Sequence, residues 1–311
     1  MIFIENVLGL SYKDSRVVLT IGSFDGVHLG HQEIIRTVVE LAKQKNCKSC
    51  VIILRPHPRQ YFFPGIPLNT LTSEKAQINL MTSLGVEIVG ILPFDGNVAS
   101  IEPENFVLHV LMRFAEIDTI VVGHDFRFGK GAKGDFKLLS KLAEKCSFDV
   151  VQVPPLVIQG ERVSSSLIRE LVLEGEMEEI PIFLGREYSI IGKVVKGKGI
   201  GKVLGFPTAN IIPLNTAIPP HGVYVAKSIL EDGSKYPSAV NIGIAPTIRK
   251  SDFAIESHLI NFEGDLLNKE VEVIFYKRIR PEKKFSNKDE LIKAIEQDVE
   301  IVKSYFPNDF F

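Results

Sequence analysis

Gly22-Ser-Phe-Asp-Gly-Val-His-Leu-Gly-His31 is the stretch that decides how the first half of this chain folds. Before it stands an apolar run, Arg16-Val-Val-Leu-Thr-Ile21, which reads as a buried strand. After it, Ile34, Ile35, Val38, Val39 and Ala42 recur at helical spacing and predict an amphipathic helix over residues 31–45. At such a strand-turn-helix junction the helix offers free backbone amides and a positive dipole end. Gly22, Phe24, Asp25, Gly26 and Gly30 lie in the turn, and Gly26 and Gly30 let the backbone bend sharply and approach a ligand. His28 and His31 can donate hydrogen bonds to phosphate oxygens in that mouth. Two histidines beside a loop can also merely cap it or hold a metal. The strand, turn and helix together favour phosphate.

Working outward, residues 50–54, 86–92, 119–122 and 148–153 read as further strands. Residues 73–83, 103–114 and 135–145 read as helices, with Ser73 as an N-cap and Pro103 in a first turn. This β-α alternation predicts a Rossmann-like, doubly wound parallel sheet, whose ligands sit beyond the carboxyl ends of the strands. Gly123-His-Asp-Phe-Arg-Phe-Gly129 follows the fourth of these strands. Its aromatics either pack against a flat ring or fill a loop core. Val163-Ser-Ser-Ser-Leu-Ile-Arg169 begins a helix with consecutive hydroxyls and a basic residue one turn in. That is either an anion site or an ordinary serine cap, and its place after the last strand favours the first.

Past Pro154-Pro155 the pattern changes. Two short helices are expected over residues 163–173 and 176–184. Strands follow at 188–195, 222–230, 236–242, 255–260 and 271–280, which suggests a small antiparallel β-barrel. Residues 287–306 close the chain as an amphipathic helix. The boundary is expected near Leu184, giving domains 1–184 and 185–311. The densest motif of the second half is Lys196-Gly-Lys-Gly-Ile-Gly-Lys-Val-Leu-Gly-Phe-Pro-Thr-Ala-Asn210. Gly197, Gly199, Gly201 and Gly205 make a loop whose amides can wrap phosphates, and Lys198 and Lys202 add charge. Thr208 and Asn210, two residues apart on a strand, supply oxygen ligands on one face, which suits a magnesium ion carrying nucleotide phosphates. A glycine-rich hairpin with solubilising lysines is the plainer alternative.

The chain has 311 residues, enough for about two domains. At 45% hydrophobic and 24% charged it has the composition of a globular protein, not a disordered one. Net charge is −2, which argues against a nucleic-acid coat. Residues 1–184 hold 18 basic and 22 acidic side chains, and residues 185–311 hold 18 and 16, an asymmetry too small to name a partner. No apolar run approaches the roughly 18 residues of a membrane span. Residues 1–10 carry Glu5 and no basic residue, so no secretory signal is expected. Three cysteines make no even disulfide framework and point to the reducing cytoplasm.

These motifs resemble the prokaryotic bifunctional riboflavin kinase/FAD synthetase family, part of the wider HxGH nucleotidyltransferases. Residues 22–31 match its GxFDGVHxGH segment, Pro56-His57-Pro58 its PHP loop, residues 123–129 its G-x-D/N-F-x-F-G loop, and residues 162–169 its serine-rich segment. In the second half, residues 196–210 resemble the riboflavin kinase signature. Asn241-Ile-Gly-Ile-Ala-Pro-Thr247, Glu256-Ser-His-Leu259 and Arg280-Pro-Glu-Lys-Lys-Phe285 follow in the family's order. Four departures stand out: Arg55 where an acidic residue is common, Lys133 and Ala245 for arginine, and Ser166 for threonine.

The resemblance implies two ATP- and magnesium-dependent activities. The N-terminal domain adenylylates FMN to FAD and releases pyrophosphate. His28 and His31 hold the ATP phosphates, Ser164, Ser165 and Arg169 stabilise the triphosphate, and Pro56, His57, Asp125 and Phe128 lie at the flavin. The C-terminal domain phosphorylates riboflavin to FMN, releasing ADP. There Gly197, Lys198, Gly199, Lys202, Gly205, Pro207, Thr208 and Asn210 meet the nucleotide, Glu256 is the base, and Glu256 and Arg280 contact the flavin. Expected partners are these small molecules, with no nucleic acid and no membrane, and a monomer or weak homo-oligomer. Rival expectations are one lost activity, a flavin sensor without turnover, or transfer to another phosphate acceptor. Intact His28, His31 and Glu256 speak against a sensor.

Overall fold

In both units the strand and helix patterns of the sequence become two-sided burial. The computed structural model describes residues 1–197, 199–214, 217–243 and 254–309. Lys198 and Ala245 lie outside the described residues. The chain forms two compact units, Met1–Leu68 with Glu74–Ser164, and Asn69–Ser73 with Ser165–Phe311.

The first unit is built on a six-stranded sheet of order β1-β4-β3-β2-β5-β6, parallel throughout. The strands are β1 (Ile2–Ile4), β2 (Tyr12–Gly22), β3 (Lys48–Arg55), β4 (Ile88–Pro93), β5 (Ala115–Gly123) and β6 (Asp149–Val153). Side chains alternate between two buried faces. Leu19, Ile21, Cys50, Ile52, Ile120 and Val122 pack on one side with Phe106, Leu139 and Leu142. Val51, Ile53 and Val89 pack on the other with Ile35, Val39 and Met81. Such double-sided burial is what all-parallel sheets require. The helices Leu29–Gln44, Glu74–Ser83 and Phe136–Cys146 lie where periodicity placed them. Residues 103–114 form three abutting helical segments, the middle one, Val107–Leu111, of π type. A two-stranded hairpin, β7 (Val157–Ile158) with β8 (Glu161–Arg162), leads to the serine-rich segment.

At the opposite edge from the ligand side, Lys45 ties three elements together. Its Nζ donates to Asp118 at 2.7 Å, Thr119 at 2.9 Å and Asp149 at 2.6 Å. Those hydrogen bonds raise the Lys45 pKa and, against the opposing effect of burial, lower that of Asp118.

The second unit is a closed antiparallel barrel of order β10-β13-β12-β11-β14-β9. Its strands are β9 (Tyr188–Val195), β10 (Ala209–Pro213), β11 (Gly222–Leu230), β12 (Lys235–Gly243), β13 (Ala254–Leu259) and β14 (Glu270–Pro281). Five of the six stand where alternation predicted them. The sixth, β10, begins at Ala209, one residue after Thr208, so Thr208 precedes the strand on which it was expected. Of the two short helices before the barrel, Ser165–Glu174 stands as expected. The second begins only at Ile180, with Pro181 in its first turn.

Lys288–Tyr305 is the closing helix, capped by Asn287, whose side chain accepts the Glu290 N–H at 2.9 Å. Val299 and Val302 pack it against Val225, Ala239 and Ile260. Asp298, 4% exposed, is gripped by Arg280, with Nε to Oδ1 at 3.0 Å and Nη2 to Oδ2 at 2.7 Å. Arg280 therefore fastens the helix to β14. Arg280→Met would strand a buried carboxylate and should cost the C-terminal unit about 3–5 kcal/mol. Denaturant unfolding of that unit checks it, and a loss below about 1 kcal/mol would reduce the pair to a surface contact.

Two candidate active sites

The carboxyl end of β2 runs into a tight turn. Phe24, Gly26 and Val27 all have positive φ, 49°, 84° and 42°. Two of these are bulky residues, and their conformation is held by burial, with Phe24 3% and Val27 1% exposed. The turn delivers His28 as the N-cap of Leu29–Gln44, where its Nδ1 accepts the backbone N–H of His31 at 3.2 Å. With Nδ1 accepting, the proton of the neutral ring sits on Nε2. The two imidazoles stack, centroids 3.6 Å apart and planes 16° apart, and Phe24 meets His31 edge-on at 5.1 Å. Burial, and then the charge of His28, push the His31 pKa well below its ordinary value. The His31 Nδ1 atom is buried with no hydrogen-bond partner.

Gly30 keeps this mouth open, since a Cβ there would lie 3.3 Å from the His28 ring and 3.8 Å from the Val163 carbonyl. Val163 and Ser164 thus follow the hairpin back towards the histidines. Ser165 and Arg169 are on the helix Ser165–Glu174 of the second unit, where Arg169 Nε donates to the Asn69 carbonyl at 2.7 Å.

Beside the turn lies an apolar cavity of about 200 Å³, lined among others by Ile21, Leu54, Pro58, Phe62, Phe94 and Phe128. Phe126 and Phe128 stack at 5.5 Å, and Phe62 meets Phe94 edge-on at 5.8 Å. Of the four residues expected at a flavin, Phe128 lines this cavity. His57 instead caps the helix Pro58–Phe62, accepting the Arg59 N–H at 3.1 Å. Asp125 pairs with Arg162. Burial works to raise the Asp125 pKa, and Arg162 outweighs it, so the carboxyl titrates low. Leu54, Phe62 and Phe94 were not singled out in the sequence. The aromatic run Tyr61-Phe62-Phe63 directly after the Pro-His-Pro loop was the available signal.

In the barrel, a cavity of about 410 Å³ is lined by Gly197, Gly199, Lys202, Pro207, Thr208 and Asn210, faced by residues 262–267. That facing wall gave no sequence signal. Gly205, at φ 91°, instead ends a one-turn helix, Ile200–Leu204, inside the glycine loop. The loop needs its missing side chains: a Cβ on Gly197 would lie 2.2 Å from Asn210 Nδ2, and one on Gly201 would lie 2.4 Å from the Phe206 carbonyl and 3.2 Å from Thr208 Oγ1. The cradle therefore brings backbone against the Thr208 hydroxyl and the Asn210 amide, hard oxygen donors of the kind magnesium takes.

Glu256 lies directly across from Asn210 on β10 and Asn241 on β12, so the three share one face of the barrel wall. Its neighbours Ile255 and Ser257 point inward and are fully buried. His258, two residues on and on the same face, bonds the Pro207 carbonyl through Nδ1 at 2.8 Å and fixes the approach to Thr208. Burial lowers its pKa, and the Pro207 bond works against that. Arg280, expected at a flavin, is committed to Asp298.

A parallel sheet with a histidine-capped helix at its ligand edge is the build of a nucleotidyl-transferring α/β enzyme, and the glycine cradle of the barrel suits a nucleotide-dependent kinase. Comparison with known proteins agrees on both counts. Residues 11–167 match the FAD synthetase family model and residues 184–306 the riboflavin kinase model. A bifunctional riboflavin kinase/FMN adenylyltransferase of Buchnera aphidicola subsp. Schizaphis graminum is 34% identical, over 98% of this chain and 99% of its own. That of Escherichia coli K12 is 33% identical, over 93% and 92%. A crystal structure from Streptococcus pneumoniae, described as a macrolide-efflux protein, shares the fold with a TM-score of 0.86 at 27% identity, over 97% and 98%. Efflux is said there of that protein, and among the described residues here no helix is long and apolar enough to cross a membrane. The chain belongs to the bifunctional riboflavin kinase/FMN adenylyltransferase family. It is a transferase with a FAD synthetase domain followed by a riboflavin kinase domain.

The depressed His31 pKa has a consequence for stability. Unfolded, the ring titrates near 6.5. Folded, it takes its proton only at lower pH, so the unfolded state binds more protons in between. The contribution is fully present above pH 6.5 and is lost as pH falls below it. Thermal unfolding of the N-terminal unit between pH 7.5 and 5, scanned at about half-unit steps, should show this slope. His31→Gln should flatten it, and an unchanged slope would assign it to another group.

Proposed function

We propose that residues 1–184 carry FMN adenylylation and residues 185–311 carry riboflavin phosphorylation, each at the site described above. In the first, an FMN phosphate oxygen attacks the α-phosphorus of ATP. The bond to the β-phosphate breaks and pyrophosphate leaves. No protein nucleophile is required. His28, His31 and the amides at the start of Leu29–Gln44 neutralise the leaving group, and the apolar cavity beside Phe128 receives the flavin ring. Ser164, in the same unit as the histidines, adds a triphosphate contact. The stacked histidine pair at the head of a helix is the observation that carries this assignment.

In the second reaction the riboflavin 5′-hydroxyl attacks the γ-phosphorus, its proton passes to Glu256 and ADP leaves. The loop of Gly197, Gly199 and Lys202 lies along the phosphates. Thr208 and Asn210 would hold magnesium, which supplies charge neutralisation at the phosphates when bound. The register of Asn210, Glu256 and Asn241 supports Glu256 as the base, since it puts the carboxylate beside the phosphate cradle. Both substrates of the pair are cytoplasmic small molecules, and cytoplasmic location is proposed with them.

Two outcomes test the assignment. His28→Ala and His31→Ala should each lower FAD formation from added FMN by about 2.7–4 kcal/mol in the transition state, with FMN formation near wild type. Glu256→Gln should lower riboflavin phosphorylation by about 10²–10⁴-fold and leave FAD formation from FMN untouched. Chromatography resolving riboflavin, FMN and FAD reads both. Equal loss of the two activities in a folded variant contradicts the division.

A further inference from the structure

Arg55 stands at the carboxyl end of β3. Its Nη2 donates to Gln77 Oε1 at 2.6 Å, and its Nη1 pairs with Glu74. Gln77, 5% exposed on the helix Glu74–Ser83, donates in turn from Nε2 to the Ser23 carbonyl at 2.6 Å. Ser23 is the residue before Phe24, where the backbone first enters the left-handed region on its way to His28.

The orientation of the Gln77 amide is fixed by its two neighbours. A guanidinium only donates and a carbonyl only accepts, so Oε1 must face Arg55 and Nε2 must face Ser23. An acidic residue at position 55 would accept from Nε2 and turn Oε1 toward the Ser23 carbonyl, two acceptors face to face. The polarity of the relay therefore depends on a hydrogen-bond donor at this position.

We propose that Arg55, acting through Gln77, is a positioning residue for adenylyl transfer: the Arg55–Gln77–Ser23 relay holds the 22–28 turn so that His28 and His31 meet the departing pyrophosphate. This rests on the assignment of that turn to the ATP phosphates. Arg55 touches no reacting atom. Its effect falls on pyrophosphate recognition and turnover, not on capture of the flavin.

The test uses the full chain, with thermal unfolding of the N-terminal unit as the control for its folding and FMN formation from riboflavin as the control for active protein. FAD formation from added FMN is measured with its KM for FMN and its inhibition by inorganic pyrophosphate. Arg55→Met and Gln77→Leu should each lower kcat by on the order of 10- to 100-fold, as expected for a displaced catalytic loop. Both should weaken inhibition by pyrophosphate and leave KM for FMN within about twofold. The double variant should be no worse than either single one. Gln77→Glu keeps an acceptor for Arg55 and turns the donor to Ser23 into a charged acceptor, so it should show at least the same loss even if the apolar substitutions unfold the unit. Arg55→Lys, which keeps a donor, should recover most of the activity. Additive losses, a change confined to KM for FMN, or full activity in Gln77→Glu would each overturn the relay. A wild-type chain that makes no FAD from FMN would instead overturn the adenylyltransferase assignment on which it rests.

Discussion

One hydrogen bond organises the N-terminal site: the His31 N–H donating to Nδ1 of His28. It starts the helix Leu29–Gln44 and fixes the tautomer of His28. It also lays the two rings face to face at 3.6 Å. Serine or aspartate would cap a helix as well. Histidine in that position makes the cap itself part of the ligand surface. Two stacked imidazoles resist carrying two charges, which agrees with the depressed pKa of His31. The pair thus presents stacked hydrogen-bonding rings at the head of the helix, where the proposed reaction would place the ATP phosphates.

The barrel solves a related problem by different means. There the cradle proposed for phosphates is backbone brought close by absent side chains, Gly197 against Asn210 and Gly201 against Phe206 and Thr208. A histidine again sets the loop, but His258 does so by bonding the Pro207 carbonyl from the barrel wall. The wall itself is rigid. Six strands close without an edge, and Ser228, Ser238 and Ser257 satisfy one another inside it at 2.9 Å. Register then decides which residues meet at the surface, and it aligns Asn210, Glu256 and Asn241.

Much of this was legible in the sequence, for identifiable reasons. Long periodic segments such as residues 34–42 and the apolar runs of the sheet declare themselves, because burial on two faces leaves little freedom of composition. The placement of the motif residues was legible too: His28 heads the first helix, with His31 one turn in, and Thr208 and Asn210 line the barrel cavity. What escaped was short or non-local. The edge strand Ile2–Ile4 has three residues, and the hairpin strands Val157–Ile158 and Glu161–Arg162 have two each. The cavity lining gathers Leu54, Phe62 and Phe94 from separate elements, which no linear pattern reveals. Arg280 was read only as a flavin contact, and its clamp on Asp298, a partner 18 residues away, was not legible because the packed helix creates that burial. Arg55 was visible only as a departure, and its Gln77 partner lies 22 residues further on.

The central claim is that one chain holds two separate reaction sites that communicate through released FMN. Its most direct test is complementation in solution, mixing His31→Ala with Glu256→Gln and supplying riboflavin, ATP and magnesium. Neither variant alone should convert riboflavin to FAD at an appreciable rate. The mixture should do so, since one supplies FMN and the other adenylylates it. A mixture that forms no FAD, or a single variant that forms it as fast as the wild type, would contradict the account.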